Sequence, residues 1–590
     1  MAPLVAAYPM AAEYHSPADL AYSPDGSWLA VGDATRSAVA FIDPETQDIG
    51  GQVELGATPA GLAWDPESGR LFAADFGAGQ VLEIDPENRS VVRHHRVGRY
   101  PQGLAVAPGR RLLLVCDWGL GRLSVVDLPG GRVKVEIPVG IQPTSVAVTP
   151  DESLAVVSHL IPDTAATTPD HAASVAIVDL EAGAVKRSVR LPTGSTNVRE
   201  LAVSVDGGSA YVVHTLGRFH LPTTQLDRGW VNTNALSVID LASGTLKATV
   251  LLDQVMDGAA DPWGVVCDPR DEKLYVTLSG VDQLAVIELA GLSKLIAADR
   301  GSLANDLSAL HREGVVRRVD LPAKGPRGLD VAPDAGTVAV AGYFSGEVVL
   351  LDREGSDARV VPLGPQPAAD AARRGEVIYH DAGHCFQRWL SCASCHPGAR
   401  ADGLNWDLLN DGIGNPKNAR SMLFGHLTPP AMSLGVRDGM ATAVRAGFEH
   451  IQFTTPDPGS VDAVIAYLES LEPLPSPHLL PDGSLSASAA RGREIFNRSS
   501  VGCADCHPAP LFTNLELFDV GTTGPLDRGA ERFDTPTLRE LWRTPPYLHD
   551  GRAATLREVL IEHNAGDLHG QTSSLEPSEI EDLIAYLQSI

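Results

Sequence analysis

Residues 17–24 read PADLAYSP, and the phrase returns as PAGLAWDP at 59–66, PQGLAVAP at 101–108 and PTSVAVTP at 143–150. It continues as VRELAVSV at 198–205, PWGVVCDP at 262–269 and PRGLDVAP at 326–333. The first three intervals are 42 residues each and the later ones 55, 64 and 64, so the later units carry insertions. Four short segments of alternating apolar residues make up a unit. In the first they are ADLAYSP, SWLAVGD, AVAFIDP and GQVELG. Four strands in each unit of about 40–45 residues is the spacing of a β-propeller blade, and seven units close a seven-bladed ring over residues 16–364. No helical pattern separates the strands, which excludes a TIM barrel.

In a four-stranded blade the loops between the second and third strands open on the same face as the blade-to-blade loops. The insertions near 160–173 and 215–236 are such loops and crowd that face. The insertion near 290–314 follows a third strand, reads as helical (LSKLIAADRGSLANDLSALHREG), and is expected on the opposite face. Sixteen residues after each phrase start stand Asp33, Asp75, Asp117, His159 and His214, with Leu278 breaking the series. Such residues cap turns through their side chains. The competing reading is a ring of ligands, with His159 and His214 available to a metal.

The chain has 590 residues, 44% of them hydrophobic and 20% charged, which excludes a disordered protein. No apolar run reaches the 18 or so residues a membrane-spanning helix needs. The formal net charge of −28 repels phosphate backbones and favours a basic partner over nucleic acid. The stretch MAPLVAAYPMAAEY lacks the basic and long apolar regions of a signal peptide. The seven cysteines are an odd number, unlike a disulfide framework. Cys116 and Cys267 fall in propeller strands and read as small buried hydrophobes.

Composition changes after PLGPQPAAD at 362–370, and the remaining residues read as helices and loops. They hold SCASCHPG at 391–398 and GCADCHPA at 502–509, two C-x-x-C-H motifs. Two thiols one turn apart can add to the two vinyl groups of a haem, and the histidine then lies under the iron. Cys392, Cys395 and His396 form one such set, Cys503, Cys506 and His507 the other. A zinc reading would need a further ligand pair for each motif, and none is evident. The region also repeats: AARRGEVIYHDAG and ASAARGREIFNRS precede the motifs, and SVDAVIAYLESL and EIEDLIAYLQSI close the halves. Each half, 371–475 and 484–590, is therefore expected to be a cytochrome c domain with one covalent haem c.

Residues 16–364 resemble the YVTN-type repeat propellers, some of them lactonase-like. Residues 371–590 resemble the bacterial di-haem cytochrome c peroxidase/MauG family, most specifically in FDTPTLRELWRTPPYLHDGRAATLREVL at 533–560. The resemblance implies one haem for electron transfer, one for peroxide chemistry, and a calcium ion between the halves, held by Asn418, Thr544 and Pro546. Thr555 and Glu558 form a capping box. The helix that starts there puts Leu556, Val559, Leu560 and His563 on one face. In the family, the position 14 residues after the histidine of the HDG segment (here His549) supplies the second axial ligand, Met in peroxidases and Tyr in MauG. That count lands on His563, whose imidazole would lower the potential relative to a thioether.

The resemblance puts Asn410 where peroxidases carry a detachable histidine, so the N-terminal haem is expected to be open to peroxide. His426, Glu449 and His450 are the candidates for acid/base work beside it. The tryptophan usual between the haems is missing, with Ser433 near its place and Trp406 and Trp542 as replacements. The expectation is a di-haem oxidoreductase in the periplasm or elsewhere outside the cytoplasm, the usual site of haem c attachment. Its propeller is expected to dock a protein substrate or a small electron carrier. The alternatives are a non-catalytic electron-transfer or redox-sensing protein, and a lactonase-like or metal-dependent activity of the propeller.

Overall fold

A computed structural model describes residues 14–222, 231–299, 301–408 and 414–590. Seven antiparallel sheets, each with its strands in sequential order, form the blades of a propeller between Pro17 and Pro362. Most innermost strands begin at the proline of the recurring phrase, as in Pro17–Tyr22, Pro59–Asp65, Pro101–Ala107 and Pro143–Val148. Proline suits the first residue of a strand because it cannot donate to the ladder. Each of these prolines pairs with the residue sixteen positions on, Pro17 with Asp33 and Pro59 with Asp75, across a bulge. That pairing explains the recurring acidic position. Asp33 Oδ1 accepts from Ser16 N at 2.9 Å, Asp117 Oδ1 from Arg99 N at 2.9 Å, and His159 Nδ1 donates to Ser174 O at 2.8 Å. These side chains cap backbone turns. Among the described residues, no three His, Cys, Asp or Glu come together as a metal site.

Three half-buried carboxylates clip neighbouring blades. Asp19 Oδ2 accepts from Leu62 N at 2.8 Å, Glu200 Oε2 from Val265 N at 3.2 Å, and Asp330 Oδ2 from Tyr22 N at 2.8 Å. The last of these joins blade seven to blade one, as does a shared apolar cluster that includes Leu20, Ile42, Leu350 and Val361. Burial pushes Asp19 up to about 7 and Asp330 up to about 6. Between blades two and three the backbones approach so closely that a Cβ on Gly61 would lie 2.5 Å from Gln102 O, so only glycine fits there.

Helices begin at Ala371. Helix Ala371–His380 crosses Pro458–Glu469, and Ala487–Phe496 crosses Pro577–Gln588 in the same way. Both crossings are made on a glycine. A Cβ on Gly375 would lie 1.9 Å from Ala463 O and one on Gly492 1.8 Å from Asp582 O, with Tyr467 and Tyr586 in matching places. The tandem repeat read in the sequence is thus a repeat of packing. No helix among the described residues is long and apolar enough to cross a membrane.

The helical region rests on the propeller face that carries the long second-to-third loops. Ala166 N donates to Gly551 O at 2.8 Å, His171 Nε2 lies 2.9 Å from Gly403 O, and Thr196 Oγ1 donates to Asp402 O at 2.7 Å. Part of the 215–236 loop, 223–230, lies outside the described residues. The 290–314 excursion departs from the expectation. Its helix Leu289–Ala298 leaves the third strand as anticipated, but the following stretch reaches the helical region. There Leu307 packs against the cluster of Trp389, Leu404 and Trp406, while Ala304 O still accepts from Arg218 of the propeller. Covering that cluster brings the segment over.

The two helical halves are joined by a buried ion pair. Arg400 Nε donates to Glu540 Oε2 at 2.6 Å and Arg400 Nη2 to Glu540 Oε1 at 3.0 Å, with side chains 6% and 1% exposed. Burial works against the Glu540 charge, but Arg543 and Arg400 outweigh it and hold the carboxyl below its usual range. Removing one partner of a buried pair strands the other charge. Glu540→Ala is therefore expected to cost about 3–5 kcal/mol in urea unfolding. Changing the exposed pair Arg498–Glu579 should cost less than about 1 kcal/mol. Because the folded pKa is depressed, the stabilisation is present above the unfolded value of about 4.3. It fades as pH falls through the folded one, so the gap between wild type and variant should close in acid.

Candidate functional site

Both C-x-x-C-H motifs open onto one cavity of about 550 Å³ within the helical region. Cys392–Cys395 and Cys503–Cys506 are each a single helical turn, which sets both thiols of a motif toward the same side. The turns are held differently. Ser391 caps the first, and Ser394 Oγ accepts from Ser391 N at 2.9 Å. The same two hydroxyls donate to Asp261 of propeller blade six, Ser391 to Oδ2 and Ser394 to Oδ1, at 2.6 Å each. Asp261 is buried, and that burial raises its pKa. The second turn starts at Gly502 and has no side-chain cap.

The motif histidines are prepared as ligands. His396 Nδ1 lies 3.0 Å from the carbonyls of both Arg400 and Arg420, and His507 Nδ1 lies 2.8 Å from that of Phe512. A carbonyl can only accept, so Nδ1 carries the proton and Nε2 keeps its lone pair. Burial lowers the pKa of both rings, that of His507 to about 4, so each is neutral at pH 7. Two thiols, a neutral imidazole with free Nε2 and a largely apolar cavity fit a covalent haem at each motif.

Among the described residues, the histidines lining the cavity are His396, His507, His549 and His569. His549 Nε2 is paired with Asp527 at 3.0 Å, and its ring stacks on Phe533 at 3.7 Å. His569 faces His507, their ring centres 6.4 Å apart. His563 is not part of the wall, contrary to the expectation from the helix period. The capping box does form, with Thr555 Oγ1 3.0 Å from Glu558 Oε1. The segment Glu558–Glu562 then winds as a π-helix, closed by His563 N donating to Glu558 O at 2.8 Å. A wider turn rotates the seventh residue off the stripe that an α-helix would have kept. Leu556, Val559 and Leu560 stay on the wall and His563 leaves it.

The residues expected beside the N-terminal haem are not among those that line the cavity. Glu449 and His450 are exposed at the end of helix Met440–His450, and His426 stands off the wall between Gly425 and Thr428, which form part of it. Gln452, missed in the sequence, does line the cavity. It is buried, its Nε2 lies 3.9 Å from Cys392 Sγ, and its Oε1 has no partner. Its polar type two residues beyond the helix gave no motif to find. Asn410 lies outside the described residues.

Asn418, Thr544 and Pro546 converge on the wall between the halves. Asn418 Nδ2 donates to Pro546 O at 2.6 Å, and Asn418 Oδ1 is buried without a partner. Of the two tryptophans, Trp406 lines the cavity and donates to Asp402 Oδ2 at 2.8 Å. Trp542 turns to the propeller, stacked on Tyr100 at 6.0 Å.

No protein-family model matches the chain. Hydrazine synthase subunit gamma of Kuenenia stuttgartiensis is 28% identical over 324 residues, which span 43% of this chain and 92% of that protein. The methylamine utilization protein MauG of Methylorubrum extorquens is 25% identical over 292 residues, 39% of this chain and 79% of its own. The cytochrome-c peroxidase IdrP2 of Denitromonas iodatirespirans is 24% identical over 330 residues, 42% of this chain and 88% of its own. A solved chain of Kuenenia stuttgartiensis hydrazine synthase superposes with a TM-score of 0.54 at 23% identity, covering 60% of this chain and 99% of that one, a likeness of fold. With the two C-x-x-C-H turns and the seven blades, these similarities make the chain a haem redox protein related to MauG and the cytochrome c peroxidases, fused to a seven-bladed β-propeller.

Proposed function

We propose that the chain is a di-haem c-type oxidoreductase of the peroxidase/MauG kind. In this reading the first half meets the oxidant and the second half exchanges electrons with it. The observation that carries it is the asymmetry of the shared cavity: the second half offers a histidine opposite His507, whereas among the described residues the first half offers only His396. When bound, the two haems supply one-electron chemistry and, at an open coordination position, a place for peroxide. The protein would hold each group by two thiols and one imidazole, and it orients that imidazole through backbone carbonyls. Gln452 lines the first half of the cavity with an unpartnered Oε1, which could accept a hydrogen bond from hydrogen peroxide.

Asn418 with Thr544 and Pro546 supports a calcium site between the halves. Turning the Asn418 amide would set its free Oδ1 beside Pro546 O, the hard oxygen donors calcium takes. Covalent haem c is attached outside the cytoplasm, so the protein is placed in the periplasm or at the cell surface. Its charge of −28 suits a basic electron carrier or protein substrate. The relative named as a subunit of hydrazine synthase supports a second reading, an electron-transfer part of a larger assembly.

Expression with a cytochrome c maturation system should give an intact mass exceeding the polypeptide by two haems. Replacing Cys503 and Cys506 with Ala should remove one of them. A polypeptide mass without haem would end this reading. Gln452→Leu should keep both haems and slow the reaction with hydrogen peroxide about tenfold, the scale of one lost hydrogen bond. An unchanged stopped-flow rate would remove Gln452 from the oxidant's site.

A further inference from the structure

His569 is not at the position the helix register favours, yet it is the histidine that meets His507. Its ring lines the cavity, and its centre is 6.4 Å from the centre of the His507 ring. Two imidazoles on opposite sides of one metal, each nitrogen about 2.0 Å from it, have ring centres about 6 Å apart. No hydrogen bond joins the two rings, and His569 Nδ1 is buried without a partner. The two other histidines of the second half are accounted for. His549 is paired with Asp527, and His563 is off the wall.

The loop that carries His569 is built to present it. Asn564, buried at the end of the π-turn, accepts from His569 N through Oδ1 at 2.7 Å. Its Nδ2 donates to Gly570 O at 2.8 Å and Thr572 Oγ1 at 2.7 Å, so one side chain clamps both sides of His569. Thr572 Oγ1 donates to Leu560 O at 2.6 Å, and Gln571 N to Val501 O at 2.9 Å. The loop thereby lies over the second motif. A Cβ on Gly570, whose φ is +85°, would stand 3.8 Å from Cys503 Sγ.

We propose that His569 is the second axial ligand of the C-terminal haem, delivered across the cavity to His507 by the loop 564–572. The inference rests on the di-haem reading above. It assigns that haem a closed, bis-imidazole coordination, which confines it to electron transfer and sets its potential below that of a His/Met haem. The π-turn acquires a purpose: it ends the helix early, which lets six further residues carry a histidine to a place the α-helical register would not reach.

The test compares the full-length wild type with His569→Ala, His563→Ala and His569→Met. Intact mass is measured first, and a wild type without two haems would bring down the underlying reading itself. With two haems in place, His569→Ala should convert one of the two ferric haems from low-spin to high-spin or water-bound, read by absorption and EPR. Added imidazole should restore the low-spin signal, and His563→Ala should match wild type. His569→Met, which keeps the site filled, should stay six-coordinate and raise the potential of one haem. The proposal is overturned if His569→Ala keeps the wild-type low-spin signal, if His563→Ala is the variant that loses it, or if His569→Met leaves both potentials unchanged.

Discussion

The helical region depends on a carboxylate that belongs to the propeller. Asp261, buried in blade six, accepts from Ser391 and Ser394 at 2.6 Å each and so grips the first C-x-x-C-H turn on both sides of Cys392. A turn of four residues has no stability of its own, because helix nucleation fixes several residues for one hydrogen bond. A buried charge is tolerable only when hydrogen-bonded, and these hydroxyls supply that bonding. The grip therefore works in both directions: the propeller fixes the haem-binding turn, and the turn satisfies the propeller. The neighbouring contacts extend the seam. Arg388 donates to Asp257 at 2.8 Å and Asn234 Nδ2 to Trp389 O at 3.4 Å. Next to them, a Cβ on Gly258 would collide with Arg388 O at 2.4 Å.

The halves of the helical region share a plan and differ in detail. Gly375 and Gly492 permit the same helix crossing, with Tyr467 and Tyr586 packed at each. Glu540 and Arg400 then fasten one half to the other from within. The differences lie at the motifs. The first turn is clamped by the propeller, and the second is covered by its own loop 564–572. The first motif is thus fixed by another domain, and the second is closed by local chain.

Much of this architecture is legible in the sequence because its determinants are local. The recurring phrase marks each innermost strand, since a proline opening a strand and the residue sixteen positions on form one pair. The Asp and His series could be read as turn capping or as a ligand ring. The hydrogen bonds of Asp33, Asp117 and His159 to the backbone favour the capping reading. The C-x-x-C-H motifs are equally local. The features that are not legible depend on register and on long-range packing. His563 follows from a 3.6-residue period that the π-turn breaks, whereas His569 reaches the wall through a loop clamped by Asn564. Glu449 and His450 share a stretch with Gln452, but only the last turns inward, because the helix ends between them. The stretch around 303–307 strays from its expected face because Trp389 and Trp406 give it an apolar surface to cover.

The central claim is that one cavity holds two unlike haems, one closed and one open. The ferric EPR spectrum of the purified full-length protein tests it most directly. One high-spin and one low-spin signal in equal amounts, with the high-spin signal perturbed by added peroxide, is the predicted result. Two low-spin signals with no high-spin component would contradict it and leave the chain an electron-transfer protein.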